Sequence, residues 1–242
     1  LTHKFKDSDT TTGLWVLDDT LEGDSIKHTV TGGVITGGTG EVNDNIKYGG
    51  GVYVAGTFNM NGGNIVGNKT TKANGSAGGC GAGVYVNTGA TFTMTGDSVI
   101  SGNTCYNGAG VYSTGTFTMS GNSEVAYNEA GCGGGGVLVN GSSFTMSGNS
   151  TVTYNEGTMW GGGVEVTNGG TFTMSGNSKI TYNSAQQCGG GVYVTYGSFT
   201  MTGGEITGNT ATSNGGGVYV NSGNFTMYDG NISENTANNG YD

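Results

Sequence analysis

Four cysteines, two histidines and 17 carboxylates are the residues of this 242-residue chain that could do chemistry, and their spacing decides what is open to them. His3 and His28 both lie near the N-terminus, far from any candidate nucleophile, so a Ser/His or Cys/His arrangement for acyl transfer is not expected. Asp18 and Asp19 are the one adjacent acidic pair and read as a solvated turn. Glu129 and Glu156 follow Asn128 and Asn155 one repeat apart, an arrangement that could hold a cation weakly, but no further ligands accompany them. Cys80, Cys105, Cys132 and Cys188 fall just ahead of Gly runs and are not spaced like zinc ligands. No catalytic residue, metal or cofactor is expected.

Composition narrows the remaining classes. Glycine fills 53 positions and proline none, and the seven basic residues, all Lys, leave a net charge of -10. That charge opposes a phosphate backbone, so no nucleic-acid partner is expected. No run approaches the length of a membrane span, and the opening LTHKFKDSDTTTG lacks the apolar core of a signal peptide. Collagen is excluded because Gly does not recur at every third position. Disorder is excluded because Phe, Tyr, Val and Ile return at fixed intervals.

Those intervals define a repeat. A Gly-Val-Tyr-Val anchor begins at Val52, Val84, Val111, Val137, Val164, Val192 and Val218, with spacings of 32, 27, 26, 27, 28 and 26 residues. Every copy is followed by Phe-x-Met, from Phe58/Met60 to Phe225/Met227, and then by a β-branched residue with an Asn three positions on, as in Ile100/Asn103 and Val152/Asn155. A degenerate copy precedes these, with Gly13-Leu14-Trp15-Val16 at the anchor and His28 and Val30 in the Phe and Met places. The expected organisation is a cap at residues 1–12 and one domain over 13–242, made of a degenerate first coil (13–48) and seven regular repeats (49–242).

Each repeat holds three segments of period-two alternation separated by Gly, Asn and Ser clusters that read as turns. The fold class is therefore all-β, a three-faced parallel β-solenoid of about eight coils of about 27 residues, roughly 40 Å long at the usual strand spacing. Both anchor Val residues, the Phe and Met, and the β-branched residue before each Asn point inward, and the Asn column stacks at a corner.

At GGGVYV, FTM and ITGNTA the chain resembles the Gly-rich repeats of adhesin-like surface proteins of bacteria and archaea within the pectate-lyase-like superfamily, over about residues 13–238. The resemblance implies a right-handed parallel β-helix at the cell surface or outside the cell. Polysaccharide lyases and hydrolases of that fold use Asp clusters, often with Ca²⁺, and a Lys or Arg. Here Arg is absent and the carboxylates are scattered.

Alternation also assigns the outer faces. Thr93, Thr118, Thr145, Thr173 and Thr200 form a hydroxyl column that resembles the Thr-x-Thr face of ice-binding β-solenoids. The plainer account is that Thr is a soluble strand former. Tyr53, Tyr85, Tyr112, Tyr193 and Tyr219 are expected outward on the anchor strand, interrupted by Leu138 and Glu165, and Tyr127, Tyr154 and Tyr182 make a second column before the Asn. Exposed aromatic ladders of this kind suit sugar rings or another protein, or simply stabilise the sheet. Lys179 and Glu205 share a column and are expected to pair. Cys80 with Cys105, or Cys105 with Cys132, stand one coil apart, and one disulfide is expected, with Cys80–Cys105 taken forward. Cys132 and Cys188, about 10 Å apart, are out of range.

The chain stops at NTANNGYD with nothing to cover its final coil, so the expectation is either a fragment of a longer solenoid or copies that stack end to end into filaments. The expected function is a non-catalytic structural or adhesin-like surface solenoid. Its partner is another copy, head to tail or laterally, or a host or neighbour-cell surface ligand such as a glycan. A carbohydrate-binding or polysaccharide-degrading β-helix is the first alternative and an ice binder the second.

Overall fold

A computed structural model of the chain describes residues 33–39, 48–70 and 78–240, together with the backbone of short strands at 6–7, 15–16, 27–30, 41–43 and 46–48. The fold is a parallel β-solenoid of about seven turns, each of about 27 residues, with no helix among the described residues. Alternation is what makes it close. One side chain in two faces the axis of the coil, and the turn residues between strands redirect the chain at each corner.

In the turn beginning at Val84, the strands are Val84–Val86, Thr91–Met94 and Val99–Ser101. Each pairs in parallel with its equivalents on either side. Val84 stands on Val52 and Val111, Phe92 on Phe58 and Phe117, and Ile100 on Ile65 and Val125. Identical residues therefore stack along a single axis. Phe rings follow one another at 4.6 to 5.1 Å with interplanar angles of 7 to 14°. The Met, Val and Ile columns fill the rest of the core and are almost wholly buried. Burying such a side chain stabilises by about 1.5 to 3 kcal/mol, which offsets the ordering cost of a Gly-rich backbone.

The Asn column is the polar counterpart of this core. Asn128 Oδ1 accepts from the backbone N–H of Asn103 (3.0 Å) and from Asn103 Nδ2 (2.9 Å), while Asn128 Nδ2 donates to Ile100 O (3.1 Å), Ala126 O (3.0 Å) and Asn155 Oδ1 (2.9 Å). Each buried amide thus satisfies the turn below and is satisfied by the turn above, as burial of a polar group demands. The Gly run before each anchor is also explained by close approach. A Cβ on Gly136 would sit 2.6 Å from the Gly163 carbonyl oxygen of the next coil.

Three features depart from the sequence expectation. A fourth strand of two residues follows each Asn, such as Thr104–Cys105 and Glu129–Ala130, and six of these form a separate sheet. Most of the expected cap (1–12) and of the degenerate first coil (13–48) lies outside the described residues. Lys27–Val30 and Val34–Thr36 do stack on the first regular turn, with His28 opposite Phe58 and Ile35 opposite Ile65. Trp15–Val16 instead pairs antiparallel with Lys6–Asp7 and does not take the anchor place. The spacing accounts for this: ten residues separate Val16 from Lys27, whereas two separate Val54 from Thr57. Finally, all four thiols are free, so the Cys80–Cys105 disulfide is not formed. Cys80 bridges Asn107, whereas Cys105 pairs with Ala130 and packs inward with Ala82 and Ala109.

Candidate functional site

The solenoid offers three repeating outer surfaces. The first, over the anchor strand, is not the open aromatic ladder that alternation suggested. Tyr53 is 46% exposed, but Tyr85 and Tyr193 are buried and Tyr112 and Tyr219 are half-buried. The turn ahead of the Gly run folds back across them. Its residues Tyr48, Cys80 and Asn107, then Gly133, Trp160 and Cys188, bridge in parallel from coil to coil. Tyr48 packs on Tyr85 at 4.7 Å and Trp160 on Tyr193 at 5.9 Å. A glycine with positive φ permits the approach: at Gly189 (φ +69°) a Cβ would fall 2.8 Å from Tyr193 Cβ.

Glu165 lies under the same flap. It is 7% exposed, its Oε2 approaches the Gly133 backbone, and its carboxylate has no hydrogen-bond partner among the described residues. Burial alone pushes this carboxyl up to about 7. Burial, and then the nearby Glu165 charge, raise the Cys132 thiol, whose Sγ is 3.8 Å from Met159 Sδ. Burial likewise pushes Cys80 up to about 12 and Cys105 up to about 11. Thiolates are the reactive form, so iodoacetamide at about pH 8 is expected to leave Cys80 and Cys105 unmodified in the folded protein and to alkylate both on unfolding, as read by peptide mass spectrometry.

The second surface is the Phe-x-Met strand. Thr93, Thr118, Thr145, Thr173 and Thr200 stand directly over one another, with Asn59 at one end of the column. Thr145 is exposed and the others half-buried, giving a regular hydroxyl column with one side chain per coil. Alongside, the third strand carries the expected ion pair, Lys179 Nζ to Glu205 Oε2 at 2.7 Å. Both partners are half exposed, so its contribution is under about 1 kcal/mol.

The third surface is the column Tyr127, Tyr154 and Tyr182. These are 62, 48 and 55% exposed, and their rings stack at 5.1 and 5.2 Å. All three have left-handed backbone, with φ of 55, 52 and 55°. The same place in neighbouring turns is Gly67 and Gly102 on one side and Gly208 on the other, at φ of 65, 62 and 68°. The corner therefore requires positive φ, which a tyrosine meets in three turns, Glu234 meets in the last (φ 57°) and glycine meets in the others. A tyrosine so placed costs about 1 to 2 kcal/mol. Each stacked pair returns about 0.5 to 1.5 kcal/mol, and Tyr154 makes two, so stacking and backbone cost are of similar size there. Tyr154→Gly is accordingly expected to change the unfolding midpoint by no more than a few degrees in a thermal melt.

Beside this column, Glu129 and Glu156 occupy one register on successive turns. Gln186 Nε2 donates to Glu156 Oε1 at 3.3 Å, and Thr104 stands opposite Glu129. No group of three or more metal-ligating side chains forms among the described residues. No family model, curated protein or solved structure matches this chain.

Proposed function

We propose that the chain is a non-catalytic, extracellular or cell-surface solenoid of a bacterium or archaeon, with an adhesin-like or structural role. The observation that supports this reading is the coil-by-coil repetition of outward residues on a self-supporting rod, which presents one chemistry many times along its length. Repeated weak contacts on a stiff scaffold give avidity without any single deep pocket. The rod also needs no partner to hold its shape, because its hydrogen bonds and core contacts run from each turn to the next.

Self-association belongs to the same proposal. A second copy stacked head to tail would continue the parallel sheets, a heterologous contact that propagates as a filament. Electron microscopy of the purified chain is the direct test. Filaments that lengthen with concentration are expected, and single short rods at all concentrations would remove self-association from the reading. Release of reducing sugar from any polysaccharide would overturn the non-catalytic assignment.

The in-register Thr column favours ice binding as a second reading, since evenly spaced hydroxyl and methyl groups can order water. Thermal hysteresis that disappears in Thr145→Lys would establish it, and none at all would dismiss it.

A further inference from the structure

The Tyr127, Tyr154 and Tyr182 ladder is asymmetric. At its far end the Tyr182 ring closes over the next turn, where a Cβ on Gly208 would lie 2.6 Å from Tyr182 Cε1. At its near end nothing does the same. A Cβ on Gly102 would meet nothing nearer than the Gly67 backbone nitrogen, at 3.9 Å. The rings consume one another's faces, with an interplanar angle of 2° between Tyr127 and Tyr154. Tyr127 is also the most exposed ring of the column, at 62%, and its face toward Gly102 is not taken by another ring of the ladder.

From this geometry we infer a binding site for a neutral, β-linked pyranose oligosaccharide, with one sugar stacked on the open face of Tyr127 above Gly102. The inference rests on the surface-adhesive reading and names the ligand class for it. A pyranose with equatorial hydroxyls carries a flat C–H face that matches an aromatic ring, and its edges carry donors and acceptors. Those edges find partners here. Glu129 lies two residues beyond Tyr127 along the same turn, exposed and in no ion pair among the described residues, with the half-buried Thr104 opposite it one turn down. Because the open face looks along the rod, a chain stacked on it runs across the rod, over Gly102 and toward Thr104 and Glu129. Tyr154 and Tyr182 are positioning residues that hold the Tyr127 ring upright from behind. The tyrosines at this corner present a stacking face that glycine could not. Charge selects among glycans: Glu129 and the net charge of -10 disfavour uronates and other acidic sugars.

Isothermal titration of the whole chain with cellohexaose, chitohexaose and hexagalacturonate tests the site. Saturable binding of a neutral hexamer and none of the uronate is expected. Tyr127→Gly installs the residue that this corner already carries at Gly67 and Gly102, so it should fold and lose roughly tenfold or more in affinity. Tyr127→Phe keeps the ring face and should bind within about threefold. No heat with either neutral hexamer, or equal affinity in Tyr127→Gly, overturns the proposal. So does a ladder that proves to join copies, with Tyr127→Gly abolishing self-association while the parent binds no sugar. Cell adhesion separates this site from the reading beneath it. Adhesion that persists in Tyr127→Gly sinks the site and leaves the surface role standing, whereas hexamer binding by a chain that adheres to no cell keeps the site and sinks the surface role.

Discussion

Glu165→Leu is expected to stabilise the solenoid by about 3 kcal/mol at about pH 8 and by far less below about pH 4. The carboxyl is buried among Gly133, Cys132 and Tyr193 without a hydrogen bond, and its folded-state value of about 7 stands above the 4.5 of an ordinary Glu. A raised carboxyl favours the protonated form in the folded state. The penalty is therefore absent below the unfolded value, grows as the pH rises from about 4.5, and is complete above about 7. Wild type should lose stability across that window, and the variant should lose none from this site. Leucine is a fair replacement because Leu138 occupies the same column one turn away and is 4% exposed. Thermal melts at the two pH values would measure the difference. Equal midpoints for variant and wild type at pH 8 would show that the carboxylate is solvated.

The sequence carried the core of this fold almost in full, and for a physical reason. A parallel solenoid stacks each residue on its equivalent, so a column such as Phe92, Phe117 and Phe144 is both a spacing in the sequence and a contact in space. The outer surfaces were less legible. Alternation gives the side of the strand on which Tyr85 or Tyr193 lies, but not whether another segment covers that side. A signal did exist: Tyr48, Cys80, Trp160 and Cys188 are poor choices for an exposed turn, and they recur just ahead of the Gly run. The disulfide fails on a two-residue offset. Cys80 precedes its anchor Val84 by four positions and Cys105 precedes Val111 by six, so Cys105 enters the Ala82 and Ala109 cluster while Cys80 takes the bridge to Asn107.

The left-handed tyrosines could have been read by aligning the copies, since the place of Tyr127 is Gly in the two preceding turns. Mixed Gly and Tyr in one column is a statement about backbone conformation before it is one about side chains. At the N-terminus, Gly-Leu-Trp-Val matches the anchor in composition, yet Trp15–Val16 pairs antiparallel with Lys6–Asp7, and ten residues rather than two separate it from the strand that follows.

Asn155→Ala should be among the most damaging single substitutions in the chain, costing about 4 kcal/mol or more. Asn155 Oδ1 is the acceptor for the buried backbone N–H of Asn128 (3.0 Å) and for Asn128 Nδ2 (2.9 Å). Its Nδ2 donates to Val125 O (2.9 Å), Thr153 O (3.0 Å) and Asn183 Oδ1 (3.0 Å). Alanine removes all of these at once, and each buried group left unpaired costs about 1 to 3 kcal/mol. The same change at Asn235 is expected to cost much less, because that residue is half-buried on the last described turn and water can replace what it gives. Long solenoids do not always unfold in one step. Hydrogen exchange at the Asn128 amide is therefore the better measure: it should lose most of its protection in Asn155→Ala, while the Asn209 amide, bonded at 2.9 Å to Asn235 Oδ1, should change only modestly in Asn235→Ala. Equal effects at the two positions would mean that the ladder acts through its length rather than through burial of each rung.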